Sequence, residues 1–194
     1  MKKIILASGS KQRKKLLEMT GIDFEVRKSN YMEDMTEKMP ATELAKKLAL
    51  GKALDVARNY KDAIIIGADS FGILDGRFLG KPRTPEEAQR MLRELSGKKH
   101  EVITGIALID IKNNKTITDY DIGTIWIKDL TDEEIELYIK TGEPMDKAPS
   151  YTIEGIGSTL VEKIEGNYSS IIGLPLYKIY KHLLSMGINL LKHP

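Results

Sequence analysis

The chain has 194 residues and a mass of 21.8 kDa, a length that fits one domain or one larger domain with two lobes. Hydrophobic residues make up 41% and charged residues 30%, a balance typical of a globular protein rather than a disordered or fibrous one. The absence of cysteine excludes disulfides, thiolate zinc sites and cysteine nucleophiles, and a net charge of +2 gives no support to a nucleic-acid-binding protein.

The three histidines, His100, His182 and His193, are too few to predict a metal site built from several imidazoles. A catalytic metal would have to rest mainly on carboxylates, which suits Mg²⁺ or Mn²⁺. The apolar run after Lys2 and Lys3 is too short for a signal peptide, and no segment approaches the length of a membrane span. These observations predict a cytoplasmic protein without a membrane partner.

Short apolar runs alternate with helical patterns in the first half of the chain, and the strongly apolar strand Asp62–Ala68 is typical of a sheet that is covered on both faces. Ser10 is a capping residue for the first helix, and Gly21 marks its end. The predicted order is strand, helix, strand, helix, strand, over Lys3–Ala7, 10–21, Ile22–Val26, 41–60 and Asp62–Ala68.

Turn and capping signals organise the remainder of the chain. Asp75-Gly76 and Asn113-Asn114 each predict a hairpin, and Thr84 and Thr131 each begin a helix as a capping residue. Without a repeat or a linker, the sequence predicts a single α/β domain over residues 1–194 with a mixed sheet. The predicted elements are strands Phe71–Leu74, Arg77–Leu79, His100–Ile111 and Thr116–Ile127, helices 84–97 and 131–140, short strands up to Ile164, and a helix over Leu174–Met186.

The turn Ala7–Arg13, between the first strand and the first helix, is rich in small and hydroxyl residues. Backbone N–H groups at a helix N-terminus favour an anion, and Gly9 would let a phosphate approach closely. Arg13 is placed to bind a phosphate through two of its nitrogens. The ordinary alternative is that Ser10 is only a cap and that the basic residues form a solvated face. The Walker A pattern is absent.

The segment Gly67–Ser70 ends the most apolar predicted strand with an acid, Asp69. Ligands of α/β sheets gather at the carboxyl ends of strands, where an aspartate can hold a metal or accept a proton from water. An aspartate that merely begins a turn is an equally good interpretation.

Three further charged residues are candidates for a phosphate-binding cleft. Lys81 lies on a tight turn between Gly80 and Pro82, Lys52 lies in the long helix, and Glu33 lies in an irregular acidic stretch. An ordinary surface residue is the competing interpretation for each of them.

The loop Thr141–Tyr151 carries alternating charges among turn-forming residues, which is typical of loops that close a binding site. Gly155–Gly157 would allow close backbone approach to a base or ribose. These glycines do not form the dinucleotide-binding fingerprint, which requires a strand–turn–helix setting.

Each signal is weak by itself, but the order of the blocks along the chain is specific. The blocks are Leu6–Ser10 with Arg13, Leu16-Leu17, Gly67–Asp69, Gly80–Pro82, Met91-Leu92, Leu95–Gly97, His100, Thr104-Gly105, Tyr138, Gly142–Pro144, Asp146–Ala148, Gly155 and Gly173–Leu176. In this order they resemble the Maf family over nearly the whole chain.

The resemblance implies a cytoplasmic nucleoside triphosphate pyrophosphatase that serves nucleotide-pool housekeeping. Members hydrolyse between the α- and β-phosphates with a divalent cation, and they release a monophosphate and pyrophosphate. The family also implies an elongated mixed sheet flanked by helices, two lobes around a cleft, and a homodimer. Its first members were described as inhibitors of septum formation.

The same resemblance gives four residues catalytic roles. Asp69 would accept the proton of the attacking water and, together with Glu33, would hold Mg²⁺ or Mn²⁺. Lys52 and Lys81 would stabilise the negative charge that moves onto the leaving pyrophosphate.

Five further residues would bind the substrate. Ser8 and Ser10, with the N–H groups of the first helix, would cradle phosphate oxygens, and Arg13 would bind the triphosphate. Asp146 and Lys147 would line the cleft.

Three positions are expected to set the base preference, namely Gln12, Ser70 and Glu154. Their equivalents are usually Arg, Thr and Gln in the subgroup acting on dTTP and UTP, and Trp, Gln and Glu in the subgroup acting on 7-methyl-GTP. Ser70 is near the first pattern, Glu154 matches the second and Gln12 matches neither, so the base preference is open.

A second hypothesis is a non-catalytic nucleotide-binding regulator of cell division that has kept the pocket. The retained Asp69, Glu33, Lys52 and Lys81 weigh against it, because binding alone does not require a proton acceptor. A nucleic-acid-binding module is disfavoured by the balanced charge and by the aromatic content of 6%.

Overall fold

Over residues 2–192, the part of the chain that this computed structural model describes apart from the side chain of Asp146, seven strands form one mixed sheet. They are β1 (Ile4–Leu6), β2 (Glu25–Val26), β3 (Ile64–Leu74), β4 (Arg77–Leu79), β5 (Lys99–Asp110), β6 (Lys115–Ile127) and β7 (Val161–Glu165). The sheet order is β2-β1-β3-β5-β6-β7, and β4 pairs with β3 outside that path. β1 is parallel to β2 and β3, whereas β3–β4 and β6–β7 are antiparallel, so the predicted mixed sheet is confirmed.

Within the same described range, six α-helices and three 3₁₀ helices accompany the sheet. The α-helices are α1 (Lys11–Glu18), α2 (Ala41–Ala57), α3 (Pro85–Leu95), α4 (Asp132–Lys140), α5 (Tyr168–Ile172) and α6 (Leu176–Ser185); the 3₁₀ helices are Glu143–Asp146, Gly155–Leu160 and Leu190–Lys192. The prediction of several short strands up to Ile164 is wrong, because a 3₁₀ helix precedes the single strand β7. No helix among these residues is long and apolar enough to cross a membrane.

The course of β3 corrects the expected place of Asp69. The predicted strand that ends at Ala68 and the predicted hairpin strand Phe71–Leu74 are one strand of 11 residues, so Asp69 lies inside a strand rather than at its end. β1 pairs with Ile64–Ile66 and β4 pairs with Gly72–Leu74. Asp69 therefore lies between the two stretches of β3 that these strands pair with.

The chain divides into two compact units. The first contains the residues up to 70, 103–121 and the residues from 167 onward, and the second contains 71–102 and 122–166. In the first unit, Ile4 and Leu6 of β1 enter one hydrophobic core and Ile5 and Ala7 enter another. Alternate residues thus point to opposite faces, and both faces are covered, as the continuous apolar strands predict. The single domain over residues 1–194 stays a prediction.

Helix α2 packs directly on two glycines of the first unit. A Cβ added at Gly67 of β3 would lie 2.3 Å from the carbonyl oxygen of Ala49, and one added at Gly105 of β5 would lie 2.2 Å from that of Ala45. Both distances are far below the roughly 3.5 Å at which heavy atoms make favourable contact. The two glycines therefore let α2 lie against the sheet, where its Lys52 contacts Asp69 of β3.

Capping contacts fix two helices of the second unit as predicted. The hydroxyl of Thr84 accepts a hydrogen bond from the N–H of Glu87 at 3.2 Å at the start of α3. Thr131 and Glu134 form a reciprocal capping box at the start of α4. These local signals could be predicted because both partners lie within four residues of each other.

Candidate active site

Hydroxyl groups hold the N-terminus of α1, in the turn that the sequence predicts to bind phosphate. Ser10 Oγ accepts a hydrogen bond from the N–H of Arg13 at 3.3 Å and donates one to Gln12 Oε1 at 3.3 Å. The buried Ser8 accepts a hydrogen bond from the N–H of Ser10 at 3.1 Å. The predicted cap is confirmed, and Gln12 is drawn into it. The phosphate contact of this turn stays a prediction.

Arg13 extends from α1 to two acceptors in the first unit. Its Nε donates to the carbonyl oxygen of Gly173 at 2.8 Å, and its Nη2 donates to Ser70 Oγ at 3.0 Å. A Cβ at Gly173, where φ is +121°, would lie 3.2 Å from Ser70 Oγ and 3.4 Å from Arg13 Nε. Glycine at this position therefore supplies both an unusual backbone conformation and room for the guanidinium group.

Lys52 joins two of the predicted catalytic carboxylates. Its Nζ lies 2.7 Å from Glu33 Oε1 and also donates to Asp69 Oδ1. The exposed fraction is 7% for the side chain of Asp69 and 43% for that of Glu33. The Lys52–Asp69 contact is therefore shielded, whereas Glu33 contacts Lys52 from the solvent side.

Burial and charge act in opposite directions on the ionisable groups of this cluster. Burial raises the pKa of Asp69 above its ordinary value, although the positive charges of Lys52 and Arg13 lower it. Burial lowers the pKa of the Arg13 guanidinium, and the negative charges of Asp69 and Glu33 oppose that effect. Such competing influences are common at catalytic sites.

The segment that carries Glu33 is attached to α2 by a ring and a carboxylate. The ring of Tyr31 covers Gly51, where an added Cβ would lie 2.3 Å from the ring carbon Cζ. Two residues earlier, Ser29 Oγ donates to Asp55 Oδ2 at 3.0 Å. These contacts were not predicted, although a glycine inside a long helix is the kind of signal that indicates close approach of another group.

The carboxylates fit the predicted hard metal in their chemistry. Glu33 and Asp69 both contact a single cationic atom, Nζ of Lys52, and Mg²⁺ is usually bound by one or two carboxylates together with water and substrate phosphates. Between residues 2 and 192, leaving aside the side chain of Asp146, no group of three or more acidic or histidine side chains could hold a metal alone. Phosphate oxygens and water would have to complete the coordination.

The two histidines in the described part of the chain have different partners. His100 Nε2 lies 2.8 Å from the hydroxyl of Tyr151, and burial lowers the pKa of His100 to about 4, so that its imidazole is neutral near pH 7. His182 Nε2 lies 3.0 Å from Asp119 Oδ2. His193 lies outside the described residues.

Four predicted site residues belong to the second unit. Lys81 is exposed in the loop after β4, and Lys147 follows the 3₁₀ helix Glu143–Asp146. Glu154 is half-buried and precedes the 3₁₀ helix Gly155–Leu160. The side chain of Asp146 lies outside the described part of the structure.

Glu143 of the second unit binds a distant stretch of backbone, a contact that was not predicted from the sequence. Its carboxylate accepts hydrogen bonds from the N–H groups of Ile156 at 3.2 Å and Gly157 at 2.7 Å. Burial raises the pKa of the nearby Tyr138 hydroxyl, and Glu143 adds to this effect. Glu143 thus fixes the backbone immediately after Glu154.

Thr104 is a second connection without a clear signal in the sequence. Its Oγ1 lies 2.8 Å from Ser70 Oγ and donates to the carbonyl oxygen of Ser170 at 2.7 Å. These residues are far apart along the chain, and although Ser70 and the block Thr104-Gly105 were noted in the sequence, nothing there predicted that they contact each other.

A family model described as Maf-like protein matches residues 3–186. The chain belongs to the Maf family. This confirms the resemblance that the order of the motifs predicts. The matched residues cover nearly the whole chain, so the match does not depend on one motif.

Several relatives of this Maf chain carry a name that states an activity. A dTTP/UTP pyrophosphatase of Caldicellulosiruptor saccharolyticus is 43% identical over 196 residues, which cover 99% of this chain and 98% of that protein. A dTTP/UTP pyrophosphatase of Alkaliphilus oremlandii is 47% identical over 180 residues, covering 92% and 93% of the two chains. The solved structure of the Staphylococcus aureus Ham1 protein aligns with 65% of this chain and 72% of that chain, at 16% identity and a TM-score of 0.46.

Proposed function

We propose that this Maf protein hydrolyses nucleoside triphosphates to nucleoside monophosphates and pyrophosphate. The observation that carries the proposal is the shielded contact of Lys52 with Asp69, a carboxylate whose pKa is raised by burial. A protein that only binds a nucleotide gains nothing from a buried proton acceptor beside the phosphate groups. The names of the Maf relatives support the same activity.

Asp69 is proposed to accept the proton of the water that attacks the α-phosphorus. Among the described residues, the hydrogen bond to Asp69 reaches Oδ1 from Lys52, which leaves Oδ2 for the water. The water oxygen bonds to the α-phosphorus, the bond from this phosphorus to the bridging oxygen breaks, and pyrophosphate leaves. Lys52 and Arg13 lie beside Asp69 and favour the negative charge that develops.

The charges of the cluster support a requirement for a divalent cation. Arg13 and Lys52 carry two positive charges, and Glu33 and Asp69 carry two negative charges, so the cluster offers no net charge to a triphosphate. Mg²⁺ or Mn²⁺ held by Glu33 and Asp69 would neutralise phosphate charge and orient the phosphate oxygens. By resemblance to the family, Lys81, Asp146 and Lys147 would also contact the substrate.

We propose dTTP and UTP as the first substrates to test, because the relatives are named for them. Glu154 is the residue that argues for a different base, since its carboxylate accepts hydrogen bonds and cannot donate them. The expected homodimer and the cytoplasmic location complete the proposal, and light scattering of the purified chain tests the first of them.

The deciding experiment incubates the protein with dTTP, UTP, GTP and 7-methyl-GTP in the presence of Mg²⁺ or Mn²⁺. Both products are measured for each nucleotide. Equal amounts of monophosphate and pyrophosphate are expected, and Asp69→Asn serves as the matched inactive control. Orthophosphate with a diphosphate would mean that another bond is cleaved. Nucleotide binding without release of either product would favour the non-catalytic regulator.

A further inference from the structure

The contacts of Arg13 lead to a chain of hydrogen bonds whose direction is determined at every step. The guanidinium group can only donate, so Ser70 Oγ accepts the hydrogen bond from Arg13 Nη2. A carbonyl oxygen can only accept, so the hydroxyl of Thr104 donates to Ser170. The proton between Ser70 and Thr104, 2.8 Å apart, must therefore come from Ser70.

This direction leaves the Ser70 hydroxyl without a proton for any ligand. Its single hydrogen is directed to Thr104, whose side chain is buried with 0% exposure. The same arrangement keeps the oxygen lone pair of Ser70 turned to Arg13. If Thr104 could not accept, Ser70 would be free to rotate and Arg13 would lose a fixed acceptor.

The other acceptor of Arg13 is anchored to the same short helix. The N–H of Gly173 bonds to the carbonyl oxygens of Ser169 and Ser170 at 3.1 and 3.0 Å. Ser170 Oγ in turn donates to Asp121 Oδ2. Both contacts on the Nε and Nη2 side of the guanidinium are thus held by α5 and its end.

Two of the five N–H groups of Arg13 are used by these acceptors. The remaining three include the pair at the outer end of the guanidinium, which is suited to grip two phosphate oxygens. We propose that Thr104 is a positioning residue, which acts through Ser70 to hold this pair of Arg13 toward the substrate phosphates. Ser70 then serves phosphate binding rather than recognition of the base.

This inference rests on the proposed function, and a double-mutant cycle tests it. Thr104→Val removes the hydroxyl at nearly constant volume, and Thr104→Ser keeps it. We expect Thr104→Val to lower kcat/KM about tenfold, as for loss of a hydrogen bond to a charged group. Thr104→Ser should stay within about twofold of wild type, and Thr104→Val should change activity less than about twofold in an Arg13→Lys background.

The nucleotide panel provides the readout that a merely structural role would not produce. Ser70→Ala should lower kcat/KM equally for dTTP, UTP, GTP and 7-methyl-GTP, because the phosphates are common to all of them. Thermal melting of each variant identifies any that fails to fold. If a Thr104 variant does not fold, the comparison of Ser70→Ala with Ser70→Thr takes the place of the comparison of Thr104→Val with Thr104→Ser. A change in base preference for Ser70→Ala, or an equal loss from Thr104→Val in both Arg13 backgrounds, would overturn the inference.

Affinity for inorganic tripolyphosphate, measured by calorimetry, separates the two proposals. If the wild type binds tripolyphosphate but releases no pyrophosphate from any nucleotide of the panel, the proposed function fails. The same variants then test the inference through affinity, with weaker binding expected for Thr104→Val and wild-type binding for Thr104→Ser. A wild type without affinity for tripolyphosphate overturns the inference.

Discussion

Gly51→Ala is expected to reduce activity while leaving stability nearly unchanged. The added Cβ would lie 2.3, 2.5 and 2.6 Å from three ring carbons of Tyr31. Favourable contact needs about 3.5 Å, so the ring must retreat by about 1 Å. Tyr31 is only half-buried, so its ring can move outward. The segment that carries Glu33 would move with it, away from Lys52.

The energetic terms of this substitution nearly cancel. Alanine in a helix is favoured over glycine by about 1 kcal/mol, and crowding costs about 1–3 kcal/mol, at the lower end where the neighbour can move. The net change of about 1 kcal/mol or less corresponds to roughly 2–4 °C in Tm for a chain of this size. Displacement of Glu33 should lower kcat/KM about tenfold, which corresponds to about 1.4 kcal/mol.

Thermal melting and pyrophosphate release with dTTP and Mg²⁺ measure the two effects. The matched control is Gly51→Ala in a Tyr31→Ala background, where the added Cβ meets no ring. There Gly51→Ala should change kcat/KM by less than about twofold, because the two substitutions act through one contact. An equal loss of activity with and without the ring would refute this reasoning, and so would wild-type activity of Gly51→Ala.

Three further substitutions test the site and its support. Asp69→Asn should lower pyrophosphate release by about 10²–10⁴-fold, without a fall in Tm in melting experiments, because burial already disfavours the ionised carboxyl. In the wild type, the raised pKa of Asp69 stabilises the fold at acidic pH, and this contribution to stability is lost as pH rises through that pKa. The value of kcat/KM should fall as pH drops through the same pKa, because Asp69 then binds a proton and cannot accept one from water. A pH–rate profile without this acidic limb contradicts the assignment. Gly105→Ala should lower Tm by several degrees, because its Cβ would lie 2.2 Å from the backbone of Ala45. The expected scale is about 2–4 °C for each kcal/mol of crowding, and an unchanged Tm would contradict this prediction. Gly9→Ala should leave Tm unchanged, since its Cβ would meet only the side chain of Lys28 at 3.4 Å. A loss of kcat/KM without a change in Tm would therefore report that phosphate approaches this turn, and wild-type kinetics would argue against it.

Local signals could be read from the sequence, and distant ones could not. The caps at Ser10, Thr84 and Thr131 were predictable because each involves partners within four residues. The continuation of β3 through Asp69 was not, because its charge is compensated by Lys52, 17 residues earlier in the chain. Burial against a distant helix overrides the turn preference of an isolated aspartate.

The candidate site shows the same division. Arg13, Lys52, Asp69 and Glu33 were predicted, largely through the family resemblance, and the structure places them in one cluster. The Thr104 connection was missed, because its partners are 34 and 66 residues away and no periodic pattern marks a single buried hydroxyl. α5 was missed because five residues are too few to show a helical period.

The close packing of α2 on Gly67 and Gly105 has a consequence for the energetics of binding. The backbone atoms themselves set the separation of helix and sheet, so Lys52 is preorganised beside Asp69 before any nucleotide arrives. A charged group that is already in position, such as the ammonium group of Lys52, adds no reorganisation cost in the transition state. Hydrogen exchange of the α2 amides should accordingly be as slow in the free protein as with nucleotide bound.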